Sequence, residues 1–329
     1  MASMSGAAAS ARPSTADRLR VAVVGAGAVG GVFGARLAQA GHAVHFVARG
    51  ATLAALIAHG LRLDSVDGDL RLPPVAATDD PRTIGPVDLV LVAVKATQVA
   101  ALAPALRALL APHTVVIPLQ NGVEASSQLA AELGPDHVLE GLCRVIVEQV
   151  APGHLRHSAV TPLLEFGPRG GSPLAEAVQD TAHRVARAIE GAGMHVVTPT
   201  DMAVALWEKF LFIEPIGAVG AAAQAPFGVV RTIPETRHLI DVALDEVMAV
   251  GSACGVAWPH GGKAHVWRRY DGLPADGFTS LARDLMARRP SEFDAQTAAV
   301  VRLARTHAVA TPAHDLLYAV LLPSALPAT

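Results

Sequence analysis

The chain has 329 residues, of which 51% are hydrophobic and 17% are charged, and its formal net charge is −3. This length allows one large domain or two ordinary ones, each with its own core. The small net charge and the lack of basic runs argue against a protein that binds nucleic acid or a membrane surface. The two cysteines, Cys143 and Cys254, form no CxxC pair, and no secretory leader is recognised, so we expect free thiols in the cytoplasm.

Neither the beginning of the chain nor its longest apolar stretch predicts a membrane segment. Residues 1–18 are small and polar, and we expect a disordered extension there. The apolar stretch 216–230 is short and is broken by Gln224 and Pro226, so it does not span a bilayer. It predicts a core helix that ends near Pro226, in a soluble protein.

Strand-like and helix-like segments alternate from residue 19 to about residue 199. The strands are predicted at 19–26, 43–48, 87–96, 114–122, 138–150, 153–158 and 162–168. The helices between and after them are predicted at 29–41, 51–60, 97–111, 123–133 and 173–193. Strands that are apolar on both faces and alternate with helices predict a parallel sheet covered on both sides.

The character of the chain changes near residue 200. Beyond it no strand is predicted, and helices are expected at 202–224, 235–254, 276–289, 292–307 and 312–322. The fold class is therefore α/β: a Rossmann-type doubly wound domain at 19–199, followed by an all-helical domain at 200–329. The histidines show no metal-ligand spacing, and the nearest pair, His260 and His265, is interpreted as part of a polar loop, so no metal is predicted.

The first strand runs into the pattern G-x-G-x-x-G, formed by Gly25, Gly27 and Gly30. The first glycine permits a tight turn, the second lets the backbone approach a pyrophosphate, and the third lets the helix pack closely on the strand. Ala28 and Val29 complete the loop. Strand, glycine turn and helix in this order predict a dinucleotide site, the alternative being a glycine turn without a ligand.

The end of the second strand indicates which dinucleotide is bound. An NAD site usually places an acidic residue there to accept hydrogen bonds from the ribose 2′-hydroxyl. This chain has no carboxylate between residues 43 and 63 and carries Arg49 instead, which can pair with a 2′-phosphate. The sequence therefore favours NADPH, although Arg49 could also be a solvated loop residue.

A carbonyl reductase must also supply a proton to the oxygen that becomes an alkoxide. Neither tyrosine lies in a Y-x-x-x-K dyad, and two cysteines are too few for a zinc alcohol dehydrogenase. Lys209 is the best donor, because Glu208, Lys209 and Glu214 are the only charges in the apolar segment 202–223. The alternative is a solvent-facing lysine beside Glu208.

From Leu19 to about Pro323 the chain resembles the ketopantoate (2-dehydropantoate) 2-reductases. "VVGAGAVGG" is similar to that family's NADPH loop, and "VARG" to the segment with the 2′-phosphate arginine, here Arg49. "LVLVAVKATQV" matches the strand whose lysine lines the cofactor and substrate cleft, which implies this role for Lys95. "PLQNG" matches the turn whose asparagine holds the nicotinamide and substrate region, here Asn121. "LWEKF" resembles the segment with the catalytic lysine, here Lys209.

Two further roles rest on the resemblance alone. "TSLARDL" is similar to the segment whose serine binds the substrate carboxylate, which implies this role for Ser280. "SEFDAQ" resembles the segment with an essential glutamate, here Glu292. By themselves, Ser280 could be a surface serine of a helix and Glu292 a first-turn residue. In the same way, Asn121 could belong to an ordinary turn and Lys95 to a strand edge.

The chain also departs from the family pattern. Ile213 and Gly217 stand where these reductases usually place asparagines that bind substrate oxygens, and Thr297-Ala298 replaces a common Asn-Gly pair. A site without partners for a substrate hydroxyl loses discrimination for it. The resemblance thus implies NADPH-dependent reduction of a 2-oxo acid, either ketopantoate or a more apolar relative. A non-enzymatic NADPH-binding sensor is the second alternative, and a homodimer is one candidate assembly.

Overall fold

A computed structural model of the protein describes residues 17–171 and 173–326. Apart from its last two residues, the predicted extension lies outside this range. The described chain divides into two compact units. The first holds the residues up to Val94 together with Gln98–Gln120 and Ser126–Thr200. The second holds Lys95–Thr97, Asn121–Ala125 and the residues from Asp201 onward.

The strands and the first helices lie before residue 200. The strands are β1 (Arg20–Val24), β2 (Ala43–Val47), β3 (Leu61–Ser65), β4 (Leu70–Leu72), β5 (Ala77–Thr78), β6 (Leu89–Val92), β7 (Val115–Pro118), β8 (Glu140–Ala151), β9 (His154–Gly167) and β10 (His195–Val197). The helices are α1 (Ala28–Gln39), α2 (Gly50–His59), α3 (Val99–Leu106), α4 (Ala125–Leu133) and α5 (Glu176–Gly191).

Five strands form a parallel sheet in the order β5-β2-β1-β6-β7. Successive side chains of β1 point to opposite faces, so Val21 and Val23 enter one apolar core while Ala22 and Val24 enter another. Helix α1 packs on the first face, and residues of α3 and α4 cover the second. The predicted α/β fold class with a doubly wound sheet is confirmed.

The later strands form a second sheet, in the order β10-β9-β3-β4 with β8 paired to β9. The pairing of β8 with β9 is antiparallel, so these strands do not extend the predicted parallel sheet. The strands predicted at 153–158 and 162–168 are a single strand, β9. Their apparent separation reflects a local irregularity, since Val160 has a φ of 62° and the β8–β9 register shifts nearby.

After residue 200, all regular secondary structure of the described residues is helical. Its helices are α6 (Met202–Ala223), α7 (Phe227–Val230), α8 (Pro234–Ala253), α9 (Gly262–Asp271), α10 (Ser280–Met286), α11 (Thr297–Thr306) and α12 (Pro312–Ala325). Helix α6 is apolar around most of its circumference and is therefore buried in the core of this unit. Its N-cap is Asp201, whose side chain accepts from the backbone N–H of Val204. Its C-cap is Gln224, which has a left-handed backbone conformation.

Three predictions for this unit were wrong in detail. The polar loop expected around 260–265 becomes the first turn of α9 at Gly262. Helix α10 begins only at Ser280, because the Thr279 hydroxyl caps it by accepting from the N–H of Ala282. Helix α11 begins at Thr297, so Glu292 lies in the preceding turn. Within the described residues, no helix is both long and apolar enough to cross a bilayer.

Candidate functional site

Two of the three glycines in the turn of the first unit, Gly25 and Gly30, leave no room for a side chain. Gly25 has a φ of +103°, and a Cβ atom there would lie 2.6 Å from the backbone N of Val94. A Cβ atom at Gly30 would lie 2.1 Å from the carbonyl oxygen of Gly25. Gly27 is the N-cap of α1 without a side-chain cap, and a Cβ atom there would meet open space. The first-turn amides of α1, including those of Ala28 and Val29, thus offer an uncapped helix end that fits a pyrophosphate.

A buried glutamine holds the segment that packs against this turn. The side-chain N–H₂ of Gln120 donates to the carbonyl oxygens of Val92 and Val94, each at 2.9 Å. These residues end β6 and begin the loop in contact with Gly25. Gln120 therefore fixes the wall of the turn, a role that the sequence reasoning missed.

Arg49 lies at the end of β2, beside the same turn. The N–H of Gly25 donates to the carbonyl oxygen of Val47 at 2.9 Å, so the end of β2 adjoins the glycines. Arg49 is exposed, and among the described residues its guanidinium forms no ion pair. An exposed guanidinium at this position fits a phosphate group.

The other five predicted residues all belong to the second unit, and two of them touch. They are Lys95, Asn121, Lys209, Ser280 and Glu292. The side-chain N–H₂ of Asn121 donates to the Glu292 carboxylate at 2.8 Å. Gly122 has a φ of +106°, and a Cβ atom there would lie 2.5 Å from the carbonyl oxygen of Ala295. The Asn-Gly turn is thus fitted to the turn that carries Glu292.

An arginine strengthens the same contact from α11. Arg302 donates two hydrogen bonds to the carboxylate of Glu124 and also pairs with Asp294 at 3.4 Å. Glu124 belongs to the segment of Asn121, and Asp294 to the turn of Glu292. Arg302 therefore joins the two turns by charge as well as by hydrogen bonds.

Lys95 is held by an acidic residue that the sequence reasoning missed. Its Nζ lies 3.0 Å from an Asp284 carboxylate oxygen, and Arg289 pairs with the same carboxylate at 3.2 Å. Asp284 follows Ser280 by four residues on α10, so both lie on one face of that helix. This spacing places Asp284 one turn from Ser280, but it gives no sign of the contact with Lys95. Lys95 and Ser280 are both exposed.

Lys209 lies in the middle of the buried helix α6 and is only 8% exposed. The alternative of a solvent-facing lysine is therefore wrong. Ile213 and Gly217 follow at successive four-residue steps, which places them on the same face as Lys209. Ile213 is half-buried. The face next to Lys209 presents an alkyl group and a glycine instead of two amides.

Gly217 is required by the close approach of α10. A Cβ atom at this position would lie 2.9 Å from the Thr279 hydroxyl oxygen, the cap of α10. An asparagine at Gly217 would displace that cap and with it the start of the helix that carries Ser280. A side chain at position 217 therefore requires Thr279 to shift.

Thr297, which stands where the family commonly has an asparagine, belongs to a buried polar network. The sequence reasoning also missed this network. The Thr297 hydroxyl donates to the Glu214 carboxylate at 2.9 Å. His314 donates to Glu214 at 2.8 Å and to Glu246 at 2.6 Å. All four side chains are buried. The bonded side chains are 68 to 100 residues apart in sequence, and the local pattern gives no sign of these contacts.

The charges in this network are set by its contacts. Burial lowers the pKa of His314, but the charges and hydrogen bonds of Glu214 and Glu246 outweigh it and raise that pKa to about 9. Burial raises the pKa of Glu246, but hydrogen bonds from His314 and from two backbone N–H groups hold it below its usual range. His314 is therefore an imidazolium between carboxylates at neutral pH. In the described part of the chain, no group of three or more His, Cys, Asp or Glu is arranged to hold a metal ion.

Comparisons with known proteins agree with this architecture. The family "Ketopantoate reductase PanE/ApbA" matches residues 21–171, and "Ketopantoate reductase PanE/ApbA C terminal" matches residues 201–323. The 2-dehydropantoate 2-reductase of Mesorhizobium japonicum is 31% identical over 92% of this chain and 97% of its own.

Solved structures give the same picture. The PanE/ApbA family ketopantoate reductase of Ralstonia eutropha is 31% identical, with a TM-score of 0.83 over 93% of this chain and 98% of its own. A D-mandelate dehydrogenase, solved with NADH and anilino(oxo)acetate, shares the fold at 18% identity, with a TM-score of 0.83 over 93% of this chain and 98% of its own. Both halves of this chain match the family, and the protein belongs to the ketopantoate reductases as an oxidoreductase acting on CH–OH and C=O groups.

Proposed function

We propose that this protein is an NADPH-dependent reductase that converts ketopantoate, or a closely related 2-oxo acid, into the corresponding 2-hydroxy acid. The observation that carries the proposal is the burial of Lys209 on an apolar helix, in the unit where Asn121 bonds Glu292. Buried ionisable groups in apolar surroundings are frequent at functional sites. An ammonium group at this position can donate a proton to a developing alkoxide.

The cofactor would be held by the first unit. The amides after Gly27 would bind the pyrophosphate, and Arg49 would pair with the 2′-phosphate. Bound NADPH supplies the hydride for the carbonyl carbon. The uncapped end of α1 and the exposed Arg49 support this assignment.

The substrate would be held by the second unit. Lys209 polarises the carbonyl oxygen and donates the proton that this oxygen takes up. Glu292, fixed by Asn121, orients Lys209 or a substrate hydroxyl. The Ser280 hydroxyl binds the substrate carboxylate, and Lys95 adds positive charge nearby. The helical unit from about residue 200 is thus the proposed catalytic domain, and 19–199 the cofactor domain.

A second candidate is a reductase of a more apolar 2-oxo acid or ketone. Ile213 and Gly217 favour it, because neither side chain can bond a substrate hydroxyl, and Thr279 fills the space at Gly217. A site that leaves a hydroxyl without a partner loses the discrimination that a paired hydroxyl brings.

One matched pair of substrates tests both candidates. Ketopantoate and 3,3-dimethyl-2-oxobutanoate differ only in the hydroxyl group, and turnover is followed by the loss of NADPH absorbance. A clear preference for ketopantoate in kcat/KM supports pantoate formation. Equal or better use of the deoxy compound supports the apolar reductase. NADPH binding without turnover of any 2-oxo acid or ketone would overturn both candidates and favour a sensor.

A further inference from the structure

Four buried side chains connect four helices of the second unit. In order they are Thr297 on α11, Glu214 on α6, His314 on α12 and Glu246 on α8. Glu246 also accepts from the backbone N–H groups of Ala313 and His314, at 2.8 and 2.9 Å. Each carboxylate oxygen of the two glutamates therefore has a hydrogen-bond donor. A network in which every member is satisfied is rigid and directional.

One end of this network is close in sequence to the proposed catalytic residues. Glu214 is on α6, the helix of Lys209, and Thr297 is the first residue of α11. The turn before Thr297 carries Glu292, whose carbonyl oxygen accepts from the N–H of Gln296 at 3.0 Å. The hydrogen bond from Thr297 to Glu214 thus joins the Lys209 helix to the Glu292 turn.

Stability alone does not account for these groups. Replacing a buried ion pair by well-packed apolar side chains is often neutral or stabilising, because taking the charges out of water is expensive. An apolar core at these positions would hold the helices together without fixing the Glu292 turn by a bond of defined direction. The network is therefore better explained by positional precision.

We propose that Glu214 and Thr297 are positioning residues that set Glu292 relative to Lys209 for the proton transfer. This inference rests on the proposed function. A misplacement of about 1 Å in a reacting group can cost on the order of 10²-fold in rate. Without the Thr297 hydroxyl, Glu292 keeps its hydrogen bond from Asn121, but the hydrogen bond from Thr297 to Glu214 on α6 is lost.

The test compares three substitutions on one helix. Thr297→Val removes the hydroxyl with little change in shape, and Thr297→Ser retains it. Thr306→Val is the matched control, since the Thr306 hydroxyl donates to the carbonyl oxygen of Arg302 in the same helix. We expect Thr297→Val to lower kcat at least tenfold while KM for NADPH stays unchanged. Thr297→Ser should recover most of the rate, and Thr306→Val should match the unmodified protein.

Amide hydrogen exchange at Gln296 gives a readout that needs no turnover. The inference predicts at least tenfold faster exchange of this amide in Thr297→Val and no change in Thr306→Val. If Thr297→Val fails to fold, Glu214→Gln is tested instead. The glutamine has a single amide oxygen, which must accept from both Thr297 and His314. This variant is then expected to lower kcat and speed the exchange in the same way.

The outcomes separate this inference from the proposed function. Unchanged kcat and unchanged exchange in a folded Thr297→Val protein would overturn the positioning role. If the unmodified protein turns over no 2-oxo acid, the proposed function fails, and the exchange at Gln296 alone decides whether Thr297 holds the turn.

Discussion

The side-chain amide of Asn121 donates to the carboxylate of Glu292 across 2.8 Å, although 171 residues separate them in sequence. Asn121 is the only asparagine of the chain. The amide can donate to the carboxylate and still present its oxygen to a ligand. The pair therefore acts as one unit, and its two members should not contribute independently to catalysis.

A double-mutant cycle on this pair measures that dependence. We expect Asn121→Ala and Glu292→Gln each to lower kcat/KM, and the double variant to lose much less than the sum of the two effects. A hydrogen bond to a charged group is worth about 1.5–3 kcal/mol, so the coupling should exceed about 1 kcal/mol. Additive losses would mean that the contact has no role in the reaction.

Replacing Lys209 removes the proposed proton donor. Lys209→Ala should lower kcat by roughly 10²–10⁴-fold, the usual contribution of a positioned acid, with the Kd for NADPH unchanged. Lys263→Ala is the control, because that lysine pairs with Asp241 and Asp245 away from the proposed site residues. Near-normal turnover in Lys209→Ala, measured in steady-state assays, would refute the assignment.

Replacing Arg49 tests which dinucleotide is preferred. Arg49→Ala should raise KM for NADPH far more than KM for NADH, because only NADPH carries the 2′-phosphate. Arg71→Ala, at an exposed arginine on β4, should change neither value. Equal effects of Arg49→Ala on the two cofactors would show that Arg49 is an ordinary surface residue.

The packing of α10 on α6 predicts opposite effects at two glycines of one helix. Gly217→Ala places a methyl group against the Thr279 hydroxyl at 2.9 Å, and such overpacking typically costs about 1–3 kcal/mol. Gly220→Ala meets only an ordinary contact of 3.4 Å with Ala225, and alanine should stabilise the helix by up to about 1 kcal/mol. Urea unfolding compares the free energies of unfolding of the two variants. Equal values would contradict the close approach of Thr279 to Gly217.

The buried imidazolium predicts a pH dependence of stability. The pKa of His314 in the folded protein, about 9, lies above its ordinary value of 6.5. Its stabilising contribution is therefore complete below pH 6.5 and is lost as the pH rises from there to about 9. The shift corresponds to a loss of about 3 kcal/mol in the free energy of unfolding.

Other groups with raised pKa values, such as Cys254 and Tyr270, have ordinary pKa values of 9.0 and 10.0, at or above the top of this window. Burial raises the pKa of Cys254 above 9.0 and that of Tyr270 well above 10. Urea unfolding at pH 6.5 and pH 9 should thus show the His314 effect, and His314→Gln should reduce it. His307→Gln, at an exposed histidine, should leave the slope intact. A flat profile in the unmodified protein would contradict the charged network.

The elements with a strong local pattern could be predicted from the sequence. The apolar runs predicted strands β1 and β6 and helix α6, although the strand predicted at 87–96 is longer than the observed β6, Leu89–Val92. Helix α9 was missed because only Val266 and Tyr270 are buried in an otherwise polar segment. The second sheet was missed because pairing between β3 and β9 joins segments far apart in sequence, and no short pattern encodes it.

In the candidate site, too, the features with a local pattern could be predicted and the long-range contacts could not. The glycine turn has a local signature, because its backbone conformation demands glycine. The ion pair between Lys95 and Asp284 spans 189 residues, and His314 meets its glutamates from other helices. Such contacts exist only after folding, so residue type and spacing could not reveal them.

The assignment of Lys95–Thr97 and Asn121–Ala125 to the helical unit has a consequence for protein engineering. A hybrid enzyme joined at residue 200 takes these segments from one parent and their partners Asp284, Glu292 and Arg302 from the other. The helical half expressed alone would lack them entirely. To exchange substrate preference between two relatives, a hybrid gene must therefore take the C-terminal half and both short segments from the same parent. These are three separate inserts.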